Sequence, residues 1–134
     1  MLHASDQAAG LRRLFRRTHS AVVAVLACGR RPDALALQTL VALTEGAHRV
    51  VVIDEHAPGQ GSLLSTAGLP EGGDLLGALE GRHDVTEAMR ELADGLWVVP
   101  AAATVQAVSL LDDTHHARLE AGLTELQRRA DLLA

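Results

Sequence analysis

Aromatic side chains are almost missing from this sequence: of 134 residues, tyrosine is absent and only Phe15 and Trp97 carry carbocyclic rings. A surface on which nucleic-acid bases stack is therefore not to be expected, and the core has to be assembled from Leu, Val, Ile and Ala. Cysteine occurs once, as Cys28, which excludes an internal disulfide. No apolar run approaches the roughly 20 residues that span a bilayer, and the first residues lack the apolar stretch of a secretory signal. The expected location is the cytoplasm, and any membrane contact would be peripheral. An excess of positive charge is also lacking. The formal net charge of −5 opposes a general nucleic-acid role, so no nucleic-acid partner is expected, and the basic run Arg12 to Arg17 is a local exception.

What is present suits one soluble domain. Apolar residues make up 48% of the chain and charged residues 22%, proportions that sustain a core and argue against disorder. Ser5 can cap a helix reaching about Arg17, with Ala8, Leu11 and Phe15 on one face and Arg12, Arg13, Arg16 and Arg17 over much of the rest. Ala21 to Ala27 is continuously apolar, the pattern of a strand covered on both faces. Cys28 to Asp33 reads as a loop, Ala34 to Glu45 as a helix stopped by Gly46, and Arg49 to Asp54 as a second buried strand ending in a carboxylate. Two such strands around one helix make a βαβ unit.

Farther on, short helical pieces are expected near Ser62 to Ala67, Asp74 to Leu79 and Asp84 to Leu92, and a third strand over Leu96 to Val99, closed by Pro100. After Asp112 or Asp113 as a cap, Leu119, Leu123, Leu126 and Ala130 mark one face of a long helix in which Glu125 can pair with Arg129. The fold class is α/β with three layers and a mainly parallel sheet of at least three strands. Residues 1–20 read as a docking helix with its linker, and residues 21–134 as the α/β domain.

Three segments carry a resemblance. Asp6-Gln7-Ala8-Ala9-Gly10-Leu11-Arg12 is similar to the Asp-Gln-Ala-x-x-Leu-Arg motif that opens FlhG (FleN) regulators of flagellar number and placement. The order strand, loop, helix, strand, Asp over Ala21 to Asp54 resembles the opening of MinD and ParA ATPases. Asp74-Leu75-Leu76-Gly77-Ala78-Leu79 followed by Gly95-Leu96-Trp97-Val98-Val99-Pro100-Ala101 is similar to a later stretch of the same family. The resemblance implies a P-loop NTPase-like fold and a docking helix whose Gln7 acts on the GTPase FlhF, with Asp6, Leu11 and Arg12 as partner-binding residues. It also implies ATP and Mg²⁺ as cofactors and ATP-dependent homodimerisation.

The phosphate loop departs from the family. Where a MinD-type loop reads Gly-Lys-Gly-Gly-x-Gly-Lys-Thr, this chain has Leu26-Ala27-Cys28-Gly29-Arg30-Arg31-Pro32-Asp33, so Pro32 stands at the phosphate lysine and Asp33 at the Mg²⁺-binding hydroxyl. Proline donates no N–H and an aspartate repels a triphosphate. Gly29, Arg30, Arg31 and Asp54 are what remains of a nucleotide site, no cofactor is assured, and ordinary ATP hydrolysis is not expected. Asp54-Glu55-His56 keeps the first acid of the family's Asp-x-Asp and replaces the second. The segment Ala130 to Ala134 resembles the start of the family's next strand, so the sequence reads as a fragment or a truncated relative, without the C-terminal half through which the family contacts membranes.

The leading expectation is thus an FlhG-like regulator with impaired nucleotide binding. The alternatives are an active MinD/ParA-type ATPase using Arg30 or Arg31 in place of lysine, and a partitioning relative. His115 and His116 are adjacent, which on a helix directs them about 100° apart and suits a surface pair better than a joint metal site. Cys28 has no histidine near it in sequence, and a catalytic thiol is not expected there.

Overall fold

In the computed structural model, which describes residues 21–47 and 49–134, a five-stranded sheet separates two helical layers. The strands are β1 (Ala21–Val22), β2 (Val50–Asp54), β3 (Arg90–Ala93), β4 (Leu96–Pro100) and β5 (Leu132–Leu133), and the helices are α1 (Pro32–Gly46), α2 (Leu63–Thr66), α3 (Leu75–Leu79), α4 (Ala102–Ala107) and α5 (Asp113–Arg129). Spatial order is β1-β5-β2-β4-β3. All neighbours pair in parallel except β3, which returns antiparallel on β4. Gly95, with φ +76°, closes that hairpin in a conformation that side chains disfavour.

Period-two alternation along β2 and β4 assigns the two faces. Val50, Val52, Leu96 and Val98 pack with Leu40 of α1 and with Leu63 and Leu64 of α2. Val51 and Val99 pack on the opposite face with Leu75 of α3, Leu126 of α5, Val85 and Ala88. Strands buried on both sides carry no polar residue until their ends, which is why Val50 to Ile53 reads as a continuous apolar run. The three-layer, mainly parallel α/β architecture expected from the sequence is the one observed.

Caps explain the helix boundaries. The Ser62 hydroxyl accepts from Ser65 N at the start of α2, Asp74 accepts from Leu76 N at the start of α3, and Asp112 accepts from His115 N at the start of α5. Glu125 meets Arg129 at 2.9 Å on the exposed side of α5, the expected i,i+4 pair.

Three boundaries differ from the sequence reading. The strand expected over Ala21 to Ala27 is regular only at Ala21 and Val22, because its ladder with β5 closes at the bond from Val23 N to Leu133 O. Among the described residues no strand pairs with Ala24 to Ala27. The helix expected over Asp84 to Leu92 is instead a single 3₁₀ turn, Val85–Ala88, followed by β3. Arg90 to Ala93 gain hydrogen bonds from β4 that a surface helix would not supply, so tertiary pairing overrides helical composition. Helix α1 begins at Pro32, inside the expected loop, and Gly46 is its last residue rather than the stop, with extended Ala47 as the cap. Proline suits the first helical position, where its missing N–H would have no partner within the helix.

Candidate functional site

The sheet opens a cleft of about 560 Å³ beyond the C-terminal ends of its central strands, between α1, the segment Ala24 to Ala27, the end of β2 and Gln60-Gly61. In open parallel sheets this is where ligands bind. Its walls are mainly apolar, from Ala24, Val25, Leu26, Ala36, Leu40 and Leu63, and its polar groups are Asp33, Asp54, Glu55 and His56.

Asp54 stands at the end of β2 because a strand that emerges from the core needs a polar group to receive the next turn. Its side chain is 5% exposed and both oxygens are engaged. Oδ2 accepts from Leu63 N at 2.7 Å, the first residue of α2, and Oδ1 accepts from His56 N at 3.1 Å, with His56 Nδ1 also at 3.1 Å. The carboxylate therefore ties β2 to α2 and folds the intervening loop. The His56 ring is 68% exposed and stands at the rim.

At the other wall, α1 presents its N-terminus. The capping position is Arg31, which makes no side-chain capping bond, and Pro32 follows it. Asp33 lies in the first turn, where the helix dipole favours an anion. The Ala34 backbone N–H and the Thr66 hydroxyl, at 3.1 Å from Oδ2, together hold the Asp33 carboxyl below its ordinary value. The carboxylate thus sits in the first turn of α1 and bridges α1 to α2. Gly29 adopts φ +129°, a backbone state that glycine tolerates, and the Arg30 and Arg31 side chains are exposed beside it.

Of the residues assigned to a nucleotide site from sequence, the structure brings Asp54 to the cleft and leaves Gly29, Arg30 and Arg31 off its lining. Asp6, Gln7, Leu11 and Arg12 lie outside the described residues. Sequence reasoning did not single out Thr66, which completes the Asp33 bridge, or Asp74, whose carboxylate serves two helices: Oδ1 accepts from Leu76 N and from the Thr104 hydroxyl, and Oδ2 accepts from Ala103 N. Asp74 could have been read as a cap from its place before Leu75, whereas its second helix lies about thirty residues away. Beside it, Glu71 Oε1 accepts from the hydroxyls of Ser62 and Ser65 at 2.6 and 2.7 Å, which satisfies the buried Ser62.

The architecture matches solved structures. A cobyrinic acid a,c-diamide synthase from Mycobacterium smegmatis superimposes with a TM-score of 0.64 at 22% identity over 85% of this chain and 48% of that one. The same enzyme with an ATP analogue and magnesium bound gives 0.63 over 85% and 49%. A plasmid partition protein from Borrelia burgdorferi gives 0.59 at 14% identity over 85% and 53%. The fold is P-loop NTPase-like, of the ParA kind. The chain spans about half the length of these structures, and at such identities the likeness speaks for the fold alone. Neither a protein-family model nor a curated protein sequence matches the chain.

The residues here do not fit the ATP and magnesium that the fold suggests. A phosphate loop needs a lysine, a run of free N–H groups and a hydroxyl for the metal. The chain has no lysine, and the first turn of α1 opens on Pro32 and carries Asp33. Both Asp54 oxygens already accept from backbone N–H groups. Among the described residues no three His, Cys, Asp or Glu side chains gather as metal ligands, and no helix is long and apolar enough to cross a membrane.

Proposed function

We propose that this chain is a ParA/MinD-like scaffold that has given up nucleotide chemistry and works as a regulator by presenting its N-terminal segment to a GTPase of the FlhF type. The observation that carries the first half is the first turn of α1, which opens on Pro32 and carries the Asp33 carboxylate bonded to Thr66. The second half rests on Asp6-Gln7-Ala8-Ala9-Gly10-Leu11-Arg12, the motif shared with FlhG regulators of flagellar placement. A docking helix needs only to be held out by a folded body, so a lost phosphate loop does not remove the activity. Asp6, Leu11 and Arg12 supply docking contacts and Gln7 reaches the partner's catalytic centre.

Two measurements test the two halves separately. Calorimetry with ATP and Mg²⁺ should give no heat; micromolar binding would restore the reading of a diverged ATPase switch that dimerises with nucleotide and uses Arg30 or Arg31. Stimulation of an FlhF-type GTPase should be seen with the whole chain and lost in Gln7→Ala, whose unfolding midpoint should equal the parent's, as expected from the sequence reading of Gln7 as a polar residue in the first turn of a surface helix. Equal stimulation by parent and variant would overturn the GTPase reading.

A further inference from the structure

We draw no further inference here: the strongest candidate, the exposed apolar side chains of Val105, Val108 and Leu110 along α4 and the turn that follows it, carries nothing, because the carboxylates beside them, Asp112 and Asp113, already serve the N-terminus of α5 and nothing in the structure shows what covers this face.

Discussion

Replacing Asp54 separates a structural carboxylate from a catalytic one. The side chain accepts from two backbone N–H groups and faces the His56 ring, and Leu63 N at the start of α2 is buried. In Asp54→Ala that donor loses its partner inside the protein, and an unsatisfied buried donor costs about 1–3 kcal/mol. The second bond, to the half-open His56 N–H, adds about 1 kcal/mol or less because water can replace the acceptor. The expected loss is about 1–4 kcal/mol, read as a lower urea midpoint with an unchanged slope. Asp54→Asn should recover only part of it, since one oxygen becomes an amide that donates toward a donor. If Asp54 instead served a metal-bound water, stability would hardly move in either variant and Mg²⁺-dependent nucleotide binding would fall. A loss below about 0.5 kcal/mol in Asp54→Ala, within the range of ordinary surface substitutions, would refute the assignment of this carboxylate as the tie between β2 and α2.

Other consequences follow from the same geometry. Leu126→Ala, at a fully buried site between α5 and the sheet, should lower stability by about 2–5 kcal/mol in urea unfolding, and Leu40→Ala should do the same on the opposite face. Asp33 and Asp112 both titrate below the ordinary 3.8 in the folded chain, Asp33 through Ala34 N–H and Thr66, Asp112 through the backbone N–H and ring of His115. A depressed folded value means that their contribution is complete above the unfolded value and is lost as pH falls through the folded ones. The thermal midpoint should therefore drop below about pH 4, and in the double variant Asp33→Asn, Asp112→Asn the drop should be shallower. Asp33→Thr removes the competing carboxylate from the N-terminus of α1, so inorganic phosphate, undetectable by calorimetry with the parent, should bind weakly and in a salt-dependent way; identical titrations would show that Asp33 does not govern anion access.

Much of this protein is written in local sequence. Continuous apolar runs at Val50 to Ile53 and Leu96 to Val99 belong only to strands covered on both faces, and Ser62, Asp74 and Asp112 are caps because short polar side chains reach the second or third N–H ahead. Tertiary structure decided what depends on distant partners. Arg90 to Ala93 became a strand because β4 offered a ladder. Asp33 met Thr66 across 33 positions and Asp74 met Thr104 across 30. Periodicity and composition report which face of an element is apolar and where it starts. They do not report which neighbour satisfies a backbone group or a carboxylate, and in this chain such neighbours set the bridge from Asp33 to Thr66 and the tie from Asp54 to Leu63.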